Sequence, residues 1–177
     1  MTALPCSLGA VTDETAMRLA LAEARAAEAH GDVPIGAILL DEAGVVVARG
    51  HNRREERQDP TAHAELEALR EAASLRGSWR LDDLTMVVTM EPCPMCAGAL
   101  VQARVGRVVF GASDPKRGGL GGVLDLSTSP SAHHHMQVVG GVEAGLCAAQ
   151  LERWFKQRRR QQREQRSGRP ATPAPAG

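Results

Sequence analysis

The sequence predicts an α/β protein in which a mixed five-stranded sheet is covered by helices on both faces. Short apolar β-branched runs alternate with helical patterns after an initial helix and hairpin. The chain has 177 residues, which suits one domain. Hydrophobic residues make up 43% and charged residues 24% of it, as in ordinary globular proteins.

The first third of the chain predicts one helix and one hairpin. Thr12 or Asp13 caps a helix that runs to about His30. A strand follows over residues 34–40, a turn over 42–44 and the partner strand over 45–48. The polar segment 51–60 has no periodicity, so we expect it to be a loop that leads into the next helix.

The rest of the chain predicts the alternation of helices and strands. Helices are expected over 61–75 and 94–104, and strands over 84–90 and 105–111. The segment from Ala112 to Gln137 is long, glycine-rich and irregular, which is typical of a functional or a disordered loop. A short strand at Val138 and Val139 and a last helix from Glu143 or Ala144 complete the prediction.

The charge of the chain is divided unevenly between its body and its C-terminal end. Residues 1–151 carry 13 Lys/Arg and 19 Asp/Glu, a balance of −6, whereas residues 152–177 carry 8 and 2, a balance of +6. We therefore divide the chain into a domain over 12–156 and a basic, then Pro/Ala-rich tail over 157–177, which we expect to be partly disordered. The contrast indicates an anionic partner such as nucleic acid, with a merely solvated end as the alternative.

The composition also argues against membrane and disulfide-rich proteins. No apolar run has the length of a membrane span, and the start of the chain lacks the basic and apolar pattern of a signal peptide. The chain has four cysteines, and two of them belong to a metal-binding motif described below. We therefore expect a protein of the reducing cytoplasm.

Two short motifs carry the chemistry of the chain. His63-Ala64-Glu65 is followed by Pro92-Cys93-Pro94-Met95-Cys96, which is the signature of zinc enzymes that deaminate nucleobases. Zinc prefers nitrogen and sulfur ligands, and a catalytic site uses three of them together with a water molecule. We therefore expect His63, Cys93 and Cys96 to bind one zinc ion.

Glu65 is the candidate catalytic residue. It follows the expected ligand His63 by two positions, which places it near the zinc-bound water. Zinc lowers the pKa of that water towards 7, so hydroxide becomes available at neutral pH. A carboxylate beside it can then move protons without binding the metal.

Other interpretations of these residues are less well supported. A structural zinc site needs a fourth ligand, and Cys6 and Cys147 have no Cys or His near them at suitable spacing. A redox pair of cysteines would leave the histidine and glutamate of the first motif unexplained. The run His133-His134-His135 suggests a second metal site, but consecutive side chains diverge, so an exposed loop segment is favoured.

On these motifs and several further segments, the chain resembles the bacterial tRNA-specific adenosine deaminases of the cytidine and deoxycytidylate deaminase superfamily. The resemblance runs from about residue 14 to residue 160. The segments that carry it are Pro34-Ile35-Gly36-Ala37, Asn52-Arg53, residues 59–65, residues 91–99 and residues 106–111, together with Asp114, Lys116 and Phe155.

The resemblance implies a three-layer α/β/α sandwich of the cytidine deaminase type, a homodimer and one Zn²⁺ per subunit. It implies hydrolytic deamination of adenosine to inosine at the wobble position of a tRNA anticodon, with ACG as the expected anticodon. Glu65 matches the proton shuttle of the family. The positions that match substrate-binding residues are Asn52, Ala64, Asp114, Lys116, His133 and His134.

Two rival functions remain open from the sequence. The first is a small-molecule deaminase that acts on free guanine or cytosine, although a free base has no need of the basic tail or the glycine-rich loop. The second is a zinc-stabilised RNA-binding module without catalysis. Glu65 disfavours this second rival, because a structural zinc site has no use for a carboxylate beside a water molecule.

Overall fold

The computed structural model describes residues 11–167 of the chain. Within this part the chain forms five helices and five strands. In chain order they are α1 (Asp13–Ala29), β1 (Gly36–Leu40), β2 (Val46–His51), α2 (Arg54–Arg57), α3 (Ala64–Arg76), β3 (Thr85–Met90), α4 (Pro94–Gln102), β4 (Arg107–Ala112), β5 (Gln137–Gly140) and α5 (Ala144–Ser167).

The five strands form one mixed sheet in the order β2-β1-β3-β4-β5. β1 runs antiparallel to both of its neighbours, β2 and β3. β3, β4 and β5 run parallel to one another. The mixed sheet predicted from the sequence is therefore confirmed, and β3, which leads into the second metal motif, lies in its centre.

Alternate side chains of the sheet enter two separate cores, which makes the fold a three-layer α/β/α sandwich. Ile38 and Val87 pack with α1 and with Cys147 of α5. Leu39 and Val88 face the opposite side and pack with α3 and α4. All of these side chains are buried, because strands covered on both faces bury both sets of alternating residues.

Two glycines allow helices to lie directly on the sheet. A Cβ atom at Gly36 would come within 2.2 Å of the carbonyl oxygen of Ala20 in α1. A Cβ atom at Gly50 would come equally close, at 2.2 Å, to the carbonyl oxygen of Ala64 in α3. The backbone of α3 therefore touches β2 at the turn that carries the first metal motif.

The structure corrects the predictions for the segment between β2 and α3. β2 extends to His51, and the predicted loop contains the short helix α2, whose backbone N–H groups at Glu55 and Glu56 donate to the carboxylate of Asp32. The sequence pattern missed α2 because its capping carboxylate lies more than twenty residues earlier. α3 begins at Ala64 instead of Thr61 or Ala62, with His63 as its N-cap residue.

The two ends of the chain are described only in part. The helix α5 continues through the basic segment to Ser167, so residues 157–167 extend the helix. The tail over 157–177 that was expected to be partly disordered is described only as far as Ser167, and residues 1–10 and 168–177 lie outside the described residues. Within the described part, no helix combines the length and the apolar character that a membrane crossing requires.

Candidate active site

Both metal motifs lie at the N-terminal ends of helices. His63 is the N-cap residue of α3, and Cys93 is the N-cap residue of α4, with Pro94 in the first turn. Cys96 follows within the first turn of α4. The free N–H groups and the positive end of the helix dipole favour negative charge there, which suits thiolate ligands.

Three ligand atoms converge between these two helix ends. The Nδ1 atom of His63 lies 3.8 Å from Sγ of Cys93 and 3.5 Å from Sγ of Cys96. Zinc bonds of about 2.0–2.3 Å at tetrahedral angles hold ligand atoms about 3.6 Å apart. Within the described residues this is the one cluster of three or more His, Cys, Asp or Glu side chains suited to a metal ion. The donor set and its spacing therefore fit one zinc ion.

The side chains of Cys93 and Cys96 interact, and their pKa values shift in opposite directions. Side-chain hydrogen bonds, first with Cys96 and then with the ring of His63, together lower the pKa of Cys93 to about 4. The same hydrogen bond, together with burial, raises the pKa of the Cys96 thiol. A bound metal ion replaces the proton that remains on such a pair, so zinc binding releases protons here.

Glu65 is buried in the second position of α3, with 4% of its surface exposed. Burial is the main cause that raises the pKa of its carboxyl group. Glu65 lines the same cavity as His63 and Cys93, which places it next to the ligand cluster. A carboxyl group with a raised pKa beside a metal site has the properties of a general acid and base.

A cavity of about 160 Å³ opens onto His63, Cys93 and Glu65. Asn52 lies in its wall, and its Oδ1 accepts a hydrogen bond of 3.0 Å from the backbone N–H of Ala64. That bond fixes the amide of Asn52 against the first turn of α3. The other residues around this cavity are Val33, Ile35, Arg54, Met90, Glu91, Asp114, Arg117, Leu151 and Phe155.

Of the remaining predicted substrate-binding residues, some border the cavity and others do not. Asp114 borders the cavity, and the exposed Lys116 follows it, with its backbone N–H donating to Asp114 Oδ1 at 3.0 Å. His134 contacts the carbonyl oxygen of Val105 through Nε2 at 2.9 Å, and His133 is exposed. Neither histidine lines the cavity, so their assignment as substrate contacts stays a prediction.

The structure adds residues that the sequence motifs did not single out for the site. Arg54 reaches the cavity from α2, a helix that was not predicted. Glu91 reaches it from the end of β3; it belongs to the segment 91–99 that carries the family resemblance, but no role had been predicted for it. Leu151 and Phe155 show that α5 closes one side of the cavity.

A three-layer sandwich that brings a His-Cys-Cys group beside a buried glutamate defines a zinc-dependent deaminase. The sequence profile described as the cytidine and deoxycytidylate deaminase zinc-binding region matches residues 10–112. The chain belongs to this deaminase family.

Several known proteins are similar to this chain in sequence or in structure. The tRNA-specific adenosine deaminase of Bacillus subtilis (strain 168) is 45% identical over 154 residues, which cover 87% of this chain and 95% of that protein. A tRNA(Ile)-lysidine synthase of Deinococcus radiodurans is 47% identical over 96% of this chain, which corresponds to 29% of its own length. A solved structure from studies of A-to-I editing by tRNA:A34 deaminases superposes with a TM-score of 0.74 and 42% identity, over 77% of this chain and 98% of that one.

Proposed function

We propose that this protein is a zinc-dependent hydrolase that deaminates adenosine to inosine at the wobble position of tRNA. The main support is the buried Glu65 beside the His63-Cys93-Cys96 cluster. The chain is also 45% identical, over most of its length, to a tRNA-specific adenosine deaminase. The expected anticodon is ACG, and the expected compartment is the cytoplasm, where thiolate ligands stay reduced.

In the mechanism, Glu65 transfers two protons in succession. His63, Cys93 and Cys96 would hold the zinc ion, which would lower the pKa of the attacking water when bound. Glu65 takes a proton from that water as it attacks C6 of adenine, and delivers the proton to N1. Glu65 then takes the second proton from the hydroxyl group added at C6 and passes it to the amino group. The C6–N bond breaks as the C6=O bond forms, and the amino group departs as ammonia. Water is consumed and inosine is formed, with one residue acting first as base and then as acid.

The surroundings of the cavity suit a nucleotide within RNA. Asn52 offers a fixed amide for the nucleoside, and Arg54 and Arg117 place positive charge at the cavity for phosphates. Phe155 is partly exposed and offers an aromatic face to a neighbouring base. Loop bases are already partly unstacked, so moving one into the cavity takes little free energy compared with opening a duplex.

The test compares four substrates with the zinc-loaded protein, and product is measured as the one-dalton mass increase of adenosine to inosine. The substrates are free adenosine, free guanine, an anticodon stem-loop, and the same RNA with its loop adenosine paired into a duplex. We expect the stem-loop to react far faster than the other three, because contacts remote from C6 position the base. Comparable reaction of a free base would instead support the small-molecule deaminase.

We further propose that the protein acts as a homodimer through the apolar face of α3 and α4. A groove of about 590 Å³ lies there, and Trp79 at its edge is 61% exposed. Exposed apolar surface of this kind indicates an interaction site. The variant Trp79→Glu places a charge in this groove. Its molar mass in solution, measured by light scattering, should be that of a monomer, whereas the wild-type protein should have the mass of a dimer.

A further inference from the structure

Glu91 is a buried carboxylate that the proposed mechanism does not use. It directly follows β3, two residues before Cys93, and 4% of its surface is exposed. Its carboxylate accepts backbone N–H groups from three residues of the loop that follows β4. Oε2 accepts from Asp114 at 2.9 Å, and Oε1 accepts from Leu120 at 3.2 Å and from Gly122 at 2.8 Å.

The glycine-rich part of this loop folds closely around the carboxylate. A Cβ atom at Gly118 would lie 2.2 Å from a carboxylate oxygen of Glu91, and one at Gly122 would lie 2.8 Å from the other. The backbone N–H of Gly119 donates to the carbonyl oxygen of Pro92 at 2.8 Å. A side chain at Gly118 or Gly122 would meet the carboxylate of Glu91, so either the carboxylate or the loop would have to move.

The same loop carries the charged residues at the cavity. The carboxylate of Asp114 accepts the backbone N–H groups of Lys116 and Arg117, each at 3.0 Å, and so fixes the turn that follows it. Arg117 lines the cavity. A continuous set of hydrogen bonds thus runs from Glu91 through Asp114 to the backbone of Arg117.

We propose that Glu91 is a positioning residue that ties the loop over residues 114–122 to the zinc-binding segment. Through this tie, Asp114 and Arg117 are held at the cavity where the RNA binds. The assignment of RNA as the ligand rests on the proposed function, whereas the tie itself rests on the hydrogen bonds of Glu91.

The test uses Glu91→Gln in the full chain loaded with zinc. Three N–H donors face the two oxygens of Glu91, and an amide replaces one of those acceptors with a donor. In either orientation at least one buried backbone N–H loses its partner. The matched control is Asp41→Asn at the far end of β1. Asp41 accepts from Ala43 and Val45 through a single oxygen, so the amide can keep both bonds.

The first measurement follows the loop itself and does not depend on the reaction. We expect faster amide hydrogen exchange over 114–122 in Glu91→Gln, and faster tryptic cleavage after Lys116 and Arg117, with Asp41→Asn unchanged. Gly118→Ala disturbs the same contact between the loop and Glu91, because its Cβ atom would meet the carboxylate. It should give the same result. The test therefore remains decisive if Glu91→Gln folds poorly. Exchange and cleavage equal to wild type in both variants would overturn the tie.

The second measurement follows zinc content and the kinetics of stem-loop deamination. We expect one zinc per chain in every variant, a KM for the stem-loop raised about tenfold or more in Glu91→Gln, and a smaller loss in kcat. A mobile loop with an unchanged KM, or a loss of zinc, would contradict the assigned role. If the wild-type protein deaminates no RNA, the proposed function fails, while hydrogen exchange still decides whether Glu91 holds the loop.

Discussion

Sequence spacing alone was enough to group Glu65 with the three expected metal ligands, but it could not show the role of Glu91. His63 and Glu65 lie in one motif and Cys93 and Cys96 in another, so local spacing was enough to group them. Glu91 is different, since its partners are backbone N–H groups 23–31 residues further along the chain. No pattern in the sequence marks such partners, and the role of Glu91 became visible only in the structure.

At this scale we predict that Glu65→Ala and Glu65→Gln keep zinc and fold but lose deamination. General acid–base catalysis contributes about 10²–10⁴-fold to rate, and Glu65 transfers protons in more than one step. Single-turnover deamination, with zinc measured on the same sample, checks this. Glu67→Gln, two residues further along α3, is the control and should react within a few-fold of wild type. A Glu65 variant that binds zinc and reacts at the wild-type rate would refute the mechanism.

At the scale of elements, the position of the first metal motif depends on the contact between α3 and β2. The alternating pattern predicted both elements, but it could not predict that their backbones touch at Gly50, because this depends on how the two elements pack. The predicted start of α3 was also too early, because Thr61 and Ala62 precede the N-cap residue His63 and lie outside the helix. Boundaries of this kind are set by tertiary contacts rather than by local preference.

We expect Gly50→Ala to lower the free energy of unfolding by about 1–3 kcal/mol or more, the usual result of overpacking a core. Its Cβ atom would lie 2.2 Å from the carbonyl oxygen of Ala64, so α3 must move and Glu65 with it. Deamination should therefore fall together with stability. Urea denaturation measures the first effect. Gly145→Ala in α5 is the control, because its Cβ would meet nothing within 4 Å, and it should leave stability equal or slightly higher.

A second contact between elements makes stability depend on pH. Both side-chain nitrogens Nη1 and Nη2 of Arg107 in β4 donate to the carboxylate of Asp13 in the first turn of α1, at 2.8 Å and 2.6 Å. The hydrogen bond with Arg107 lowers the pKa of Asp13 from its ordinary value of 3.8. A carboxyl group with a lower pKa in the folded state stabilises the fold above its unfolded pKa, and this stabilisation is lost as pH falls through the folded pKa.

Asp13→Asn should therefore be less stable than wild type by about 1 kcal/mol near neutral pH, which is modest because both side chains are partly exposed. The difference should shrink below about pH 4 as Asp13 of the wild type becomes protonated. Thermal unfolding at a series of pH values measures it. Glu14→Gln controls for the helix dipole, since Glu14 lies in the same turn. Equal pH profiles for the two variants would assign the effect to the dipole alone.

At the scale of the whole molecule, α5 joins the zinc site to the basic end of the chain. Leu151 and Phe155 of this helix line the cavity, and the helix then continues through exposed basic residues. The sequence predicted the charge contrast and the last helix, but it did not predict the strand order of the sheet, which brings α5 to the cavity. Short apolar strands look alike in sequence, so their order depends on tertiary packing.

We predict that replacing basic residues of α5 weakens RNA binding without affecting zinc or fold. Lys156 and Arg163 lie seven residues apart on one helix face, about 10 Å from each other along the axis. The double variant Lys156→Gln/Arg163→Gln should bind an anticodon stem-loop more weakly in fluorescence anisotropy. The slope of log affinity against log salt concentration should fall by about 1.5, because each lost phosphate contact removes about 0.7–0.9. Glutamine has nearly the same helix propensity as these residues, so thermal stability should stay unchanged.

The matched control removes the same charge from α1, in Arg18→Gln/Arg25→Gln, where both residues are exposed. Loss of net charge alone would weaken RNA binding equally in the two double variants. Contact between α5 and phosphates instead predicts a reduced salt slope in the α5 variant only. If both variants keep the wild-type affinity and slope, α5 beyond Phe155 is a solvated extension, and the positive charge at the cavity must come from Arg54 and Arg117.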